Sequence, residues 1–356
     1  MSEILRLNAT ERVLVLAPHP DDEAIACGGL LLAARAAGAA RRVVVVTDGD
    51  NNPWPQRWIE KRWRIDSIAR RRWGARRREE AQAALDVLGV DVGERCFFGL
   101  PDTGLTDMLM HDADGLPARL REQIDEFQPT LIALPALEDR HPDHSAVHIA
   151  LRVALLRAGV TPRCLTYSVH GEDAHAGAVA FEIEATWREQ KRSAIGQHAT
   201  QMRLSGKRFL AYAAAAERYH SMSTLGAVRV DHPLRAHFRS PGELVLRIHA
   251  QHLRGRASGL QLQLLLESEE QHVRWCLPLA APEDSVAVTD MLSEQHVQDV
   301  RWRLEGGDLA TSLQVAQNQL PRLGYAKLAR KHLGLLILDR YGWQTIENPL
   351  VQLGQN

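Results

Sequence analysis

The chain has 356 residues, 45% of them hydrophobic and 24% charged, the balance of a globular protein longer than one usual domain. Lys and Arg number 43 against 44 Asp and Glu, so overall charge calls for no nucleic-acid partner. The four cysteines (Cys27, Cys96, Cys164, Cys276) form no C-x-x-C pair, which argues against a disulfide framework and fits a reducing compartment. Met1–Thr10 lacks a basic region followed by an apolar core, and no apolar run approaches the roughly 20 residues that span a bilayer. A cytoplasmic location is the expectation.

Val13–Ala17 is an apolar run that predicts a strand, and Ala24–Ala37 has helical spacing closed by Gly38, a good left-handed cap. Arg42–Thr47 holds four consecutive valines, the mark of a strand buried on both faces. A helix is expected over Arg76–Leu88, ending at Gly89. Strands are expected over Cys96–Leu100, Leu131–Pro135 and Cys164–His170, with helices over Leu116–Phe127 and Ser145–Ala158 between them. This alternation predicts an α/β, Rossmann-like, mostly parallel sheet with helices on both faces. Two more helices follow, about Thr186–Gln197 and Lys207–His220. Beyond residue 225 the pattern turns to strands, at Glu243–His252, Gly259–Glu267, His272–Leu277 and Asp299–Glu305. The expected division is a catalytic domain over 10–225 and a β-rich C-terminal region over 226–356.

Polar residues follow the predicted strands one after another. Strand one runs into His19, Asp21 and Asp22, and strand two into Thr47-Asp48-Gly49-Asp50. Cys96–Leu100 runs into Asp102, and Leu131–Pro135 is followed by Asp139, His141, Asp143 and His144. In open parallel sheets ligands bind beyond the carboxyl ends of the strands. A catalytic zinc needs about three protein ligands and one open position. His19 and Asp22, three apart across a turn, can share one ion, and His144 can complete the set. Asp21 would then take a proton from water, His141 would act as acid or oxyanion donor, and Asp143 would orient a histidine. The plain structural alternatives are that Asp21 or Asp22 caps the next helix, and that histidines near a helix start are merely exposed.

Ala17-Pro18-His19-Pro20-Asp21-Asp22-Glu23, Gly28-Gly29, Thr47-Asp48-Gly49, Arg77-x-x-Glu80-Ala81, Leu88-Gly89, Leu100-Pro101-Asp102 and His141-Pro142-Asp143-His144 together resemble the PIG-L/LmbE-like de-N-acetylases. The motifs occur in the family's order over residues 12–220. The resemblance implies metal-dependent hydrolysis of an N-acetyl group, often on a GlcNAc-containing glycoconjugate. It implies His19, Asp22 and His144 as ligands of zinc, or of another divalent ion such as iron, with Asp21 as base and His141 as its electrostatic or acid partner. Arg77, Asp102 and Asp48, inside matched motifs, are expected to meet substrate.

Apart from Arg77, Trp54–Arg78 has no obvious family counterpart. It carries ten Lys/Arg and four tryptophans against only Glu60 and Asp66. Arginine forks suit phosphate and carboxylate, and tryptophan suits sugar faces or a membrane interface. The segment is therefore expected to grip an anionic glycan or glycolipid, or to lie on a membrane; the plain alternative is an amphipathic helix with its tryptophans inward. A nucleic-acid role does not fit the hydrolytic motifs beside it. Asp112-x-Asp114-Gly115 lacks the downstream glutamate of a calcium loop. His170 reads as a buried, satisfied histidine and Tyr341-Gly342-Trp343 as core, while Trp187, Lys191 and Gln201 resemble a Lys…Gln pattern of the family. Two other functions are open to such a chain: a metal-dependent phosphodiesterase, which would want more carboxylates, and a non-catalytic glycan-binding protein. The oligomeric state is not legible.

Overall fold

In the computed structural model the described residues are 5–171, 179–181, 183–214, 216–222, 232–249, 251, 259–269, 271–316, 321–330, 338–339 and 341–348. They fall into two compact units: Met1–Leu105, Glu122–Asp139 and Val160–Met222 in one, and Thr106–Arg121, Arg140–Gly159 and Ser223–Asn356 in the other.

The first unit is built on a sheet of β1 (Arg12–Ala17), β2 (Ala40–Thr47), β3 (Arg95–Leu100), β4 (Leu131–Pro135), β5 (Arg163–Tyr167), β6 (Val179–Phe181) and β7 (Glu217–Ser221), in the order β3-β2-β1-β4-β5-β7-β6. The first five are parallel, and β7 and β6 close one edge antiparallel. Val13, Val15, Val43, Val45 and Ala133 on one face are buried, and so are Leu14, Leu16, Val44 and Ile132 on the other. Burial on both faces is why these strands read as unbroken apolar runs. Helices α1 (Asp22–Ile25), α2 (Gly28–Ala36), α3 (Pro53–Glu60), α4 (Ser67–Val87), α8 (Ala185–Gln197) and α9 (Ala199–Ala214) belong to this unit. Of these, α2, α4 and α8 place Leu30, Leu31, Leu85 and Ile195 in one core with the sheet.

Three local expectations need correction. The helix predicted over Ala24–Ala37 is two helices, broken at Ala26 and Cys27 because a carboxylate from β7 takes the start of α2. The helix predicted from Arg76 begins at Ser67, where the Asp66 carboxylate accepts the Ala69 N–H at 2.8 Å and caps it. The helix predicted to His220 stops at Ala214. Beyond it Glu217 and Tyr219 are buried while Arg218 is exposed, a period of two that makes β7 a strand.

The second unit contains α5 (Leu105–His111), the start of α6 (Gly115–Phe127) and α7 (Pro142–Ala158). Among the described residues ten strands follow: β8 (Leu234–Ser240), β9 (Glu243–His249), β10 (Leu260–Glu267), β11 (His272–Pro278), β12 (Ser285–Asp290), β13 (His296–Arg301), β14 (Arg303–Glu305), β15 (Asp308–Gln314), β16 (Leu323–Arg330) and β17 (Trp343–Thr345). They form a six-stranded sheet, β13-β12-β11-β10-β16-β17, and a four-stranded one, β14-β15-β9-β8, antiparallel wherever strands pair. Leu262, Leu264, Leu266 and Trp275 of one sheet share a core with Leu244, Leu246, Ile248 and Phe238 of the other. The strand predicted over Asp299–Glu305 breaks at the fully buried Trp302, so that β13 and β14 join different sheets. On the six-stranded sheet, Arg274 is fully buried; its Nε donates to the Leu109 carbonyl of α5 at 2.6 Å and its Nη2 to Glu267. Arg157 of α7 lies 3.3 Å from Glu267 and 2.8 Å from Asp114. No helix of the described residues is long and apolar enough to cross a membrane.

Candidate active site

In the first unit β1 pairs with β2 on one side and β4 on the other, so the strand order reverses between β1 and β4. That is the topological switch point, where such sheets bind ligands. The chain leaves β1 through His19 and leaves β4 toward Asp139.

His19 is buried, and the turn that carries it is closed by its own backbone N–H, which donates to Asp22 Oδ2 at 3.0 Å. The ring bridges two carboxylates, with Nδ1 3.3 Å from Asp22 and Nε2 3.3 Å from Asp102. Each ring nitrogen of His19 thus faces a buried carboxylate, and imidazole and carboxylate are ligand types that suit a divalent ion.

Asp21 stands where a helix cap would, but its side chain does not cap α1. Its φ is 136°, a region that side chains rarely occupy. Its N–H donates to Glu23 Oε2 at 2.9 Å, and its carboxylate turns to Arg77, whose Nη2 donates to Oδ2 at 2.9 Å. The same guanidinium donates to the Pro20 and Gly49 carbonyls at 2.6 and 2.8 Å and is 4% exposed. Both Nη atoms of Arg77 are thus engaged by protein oxygens, which makes it a support for Asp21. Gly49 has φ 61°, and a Cβ there would stand 1.9 Å from Arg77 Nη1, so only glycine admits the guanidinium. Burial pushes the Asp21 carboxyl up to about 6, against the pull of Arg77 and with help from neighbouring Asp22.

Beneath Asp21 lies a layer that the motifs alone did not assign. Glu23, fully buried, is 2.9 Å from His198 Nε2. Burial works against the charged imidazole, but the Glu23 carboxylate outweighs it and raises the His198 pKa. Further in, Glu217 of β7 accepts the Gly29 and Leu30 N–H groups at 2.6 and 2.8 Å and the Lys191 ammonium at 2.6 Å. It therefore caps α2 from outside that helix. A Cβ on Gly28 would meet Lys191 at 3.0 Å and one on Gly29 would meet Ile183 at 2.9 Å, which accounts for the glycine pair.

Asp48 accepts from Arg78 at 2.6 and 3.1 Å and is partly exposed. Asp102 accepts the Asn51 N–H at 3.3 Å, and its own N–H donates to Asp50 at 3.0 Å. Burial raises the Asp50 pKa. Asp139 Oδ2 accepts the Val169 and His170 N–H groups at 2.8 and 3.0 Å and so ties the ends of β4 and β5.

In the second unit α7 starts at Pro142, earlier than predicted, and puts Asp143 and His144 in its first turn, both fully buried. His141 is the N-cap: its Nδ1 accepts the Asp143 N–H at 3.2 Å. Accepting at Nδ1 places the proton of the neutral ring on Nε2. In that tautomer Nε2 is the donor nitrogen of the ring. The rings of His141 and His144 are 5.3 Å apart, centroid to centroid. Of the lesser features, Asp112 accepts the Asp114 and Gly115 N–H groups as an ordinary turn, and Trp343 is core.

Residues 14–155 match the family model described as PIG-L: GlcNAc-PI de-N-acetylase. A search of curated proteins found no match. Among solved structures, a conserved protein of Thermus thermophilus is 24% identical, with TM-score 0.46 over 62% of this chain and 98% of that one. The zinc-inhibited form of a teicoplanin deacetylase is 20% identical, with TM-score 0.47 over 59% and 97%. The N,N'-diacetylchitobiose deacetylase of Pyrococcus horikoshii is 19% identical, with TM-score 0.47 over 60% and 84%.

Proposed function

We propose that the chain, whose residues 14–155 match the PIG-L family model, is a metal-dependent de-N-acetylase that removes the acetyl group from an N-acetylated amino sugar of a glycoconjugate, an anionic or lipid-linked one such as an envelope polysaccharide or lipopolysaccharide precursor. His19, Asp22 and His144 would hold the ion, zinc or alternatively iron. A bound ion of this kind polarises an amide carbonyl and acidifies water. The chain's own residues supply the rest. Asp21 accepts the proton of the attacking water, and a carboxyl near pKa 6 is ionised at neutral pH yet basic enough to do so. Arg77 holds that carboxylate in place. His141, protonated at Nε2, donates to the oxyanion that forms on the acetyl carbon. The C–N bond then breaks, the proton held by Asp21 passes to the leaving nitrogen, and acetate and a free amine result. Asp143 would steady the histidine end of the site, and Asp48 and Asp102 would meet sugar hydroxyls.

The observation that carries this reading is the strained, buried Asp21, held by Arg77 and raised toward neutrality beside His19 and Asp22. The test is acetate release from a panel of GlcNAc conjugates, with the Asp21→Asn variant as control. Release by the native chain and at least about 100-fold less by the variant is expected. A metal-loaded native chain that frees no acetate across the panel would count against it.

A further inference from the structure

The segment between β2 and α4 carries a surface that hydrolysis does not use. Trp54 is 49% exposed, Trp58 65%, Trp63 78% and Ile68 63%, a concentration of exposed apolar surface within fifteen residues. These side chains are held in place. Trp54 and Trp58 share one face of α3 at four-residue spacing. Arg57 lies between Trp54 and Trp63, 5.0 and 5.3 Å from the ring centroids, and its Nε donates to the Trp63 carbonyl at 3.0 Å. Gln56 of α3 donates to the Ala69 carbonyl in the first turn of α4 at 2.8 Å, and an Arg72–Glu60 ion pair at 2.6 Å fastens the second turn to α3.

The same segment carries the exposed cations Lys61, Arg62, Arg64, Arg70 and Arg71. The two acids within the segment are already engaged, Glu60 with Arg72 and Asp66 as the cap of α4. A cavity of ≈ 680 Å³ opens beside α3, lined by Arg57, Trp58, Ile59, Lys61, Arg76 and Arg203. Soluble anions would explain the cations but not three open tryptophans and an open isoleucine. A soluble sugar would explain the rings but not so many cations. An anionic bilayer explains both, since indole and isoleucine enter the headgroup boundary while guanidinium groups meet lipid phosphates.

We propose that residues 54–72, with the cavity beside α3, form a docking surface for an anionic lipid membrane. This goes beyond the deacetylation reading and does not depend on it. The test is co-sedimentation of the full chain with vesicles of phosphatidylcholine alone or containing phosphatidylglycerol, with tryptophan emission followed in parallel. Binding is expected only to the anionic vesicles, with a blue shift, and it should weaken as salt is raised. Trp58→Ser with Trp63→Ser should weaken binding at least about tenfold with an unchanged melting curve. Arg70→Gln with Arg71→Gln should weaken it about thirtyfold. Equal affinity for both vesicles, no binding to either, or undiminished binding by the tryptophan variant would overturn the proposal. So would full displacement by millimolar inorganic phosphate, which would mark a site for a free anion. Self-association abolished by the tryptophan changes, without vesicle binding, would assign the surface to a second copy of the chain instead.

Discussion

Asp21 shows how the site stores cost in one residue. A φ of 136° persists only because Glu23 and Arg77 over-determine the backbone and the carboxylate. The raised pKa makes ionised Asp21 a burden on the metal-free fold: its share of stability is full below the ordinary carboxylate value of 3.8 and is lost as pH rises through about 6. Asparagine tolerates positive φ and still accepts from Arg77. Metal-free Asp21→Asn should therefore be more stable than the native chain at pH 7, by up to about 3 kcal/mol, and no more stable at pH 3.5; urea melts at both pH values decide this. In the metal-loaded protein the same variant should keep its ion and lose turnover, while Asp22→Ala loses the ion, measured by elemental analysis. Arg77→Gln removes a charge that lowers the Asp21 pKa, so the acidic limb of kcat/KM should move to higher pH and kcat should fall more than KM rises. An unmoved limb would show that Asp21 is not the base.

Among the elements, the helix ends closed by glycine were legible, whereas the starts of α2, α4 and α7 and the end of α9 were not. Gly38, Gly89 and Gly159 close α2, α4 and α7 at positive φ, and the residue type announces that conformation. The start of α2 depends instead on Glu217, which lies 188 residues beyond Gly29 in sequence. No local pattern reveals such a cap. Replacing Glu217 with Ala strands the buried Lys191 ammonium and two helix N–H groups, and should cost about 3–5 kcal/mol in urea unfolding. Lys191→Met added to that variant should recover part of the loss, because the uncompensated charge goes with it. Strictly additive losses would show that the pair is not coupled.

Across the molecule as a whole, the residues that hold α5 and α7 within the second unit lie far along the chain. Arg274 reaches the Leu109 carbonyl, and Arg157 reaches Glu267. The Asp339 N–H donates to the Arg140 carbonyl just before His141, at 2.8 Å. Glu267→Ala would leave the buried Arg274 guanidinium, and the part-buried one of Arg157, without their shared carboxylate. It should destabilise the chain by about 3–5 kcal/mol and loosen the helix that carries His141 and His144. Lower metal retention below the melting temperature is the sign to look for; full retention would show that α7 is held without this cluster.

The alternating α/β pattern, the parallel strands and the polar residues at their carboxyl ends could all be read from the chain unfolded on the page. So could the family motifs, because hydrophobic period and motif spacing are local properties. What those residues touch was settled by the fold. Folding made Asp21 a strained partner of Arg77 rather than a cap, and spent Arg77 on protein oxygens. It also set Glu23 against His198, turned His141 Nδ1 to the Asp143 N–H, and turned the tryptophans of residues 54–63 outward. Each of these depends on burial and on which segments the fold brings together, and neither is written in any short window of sequence.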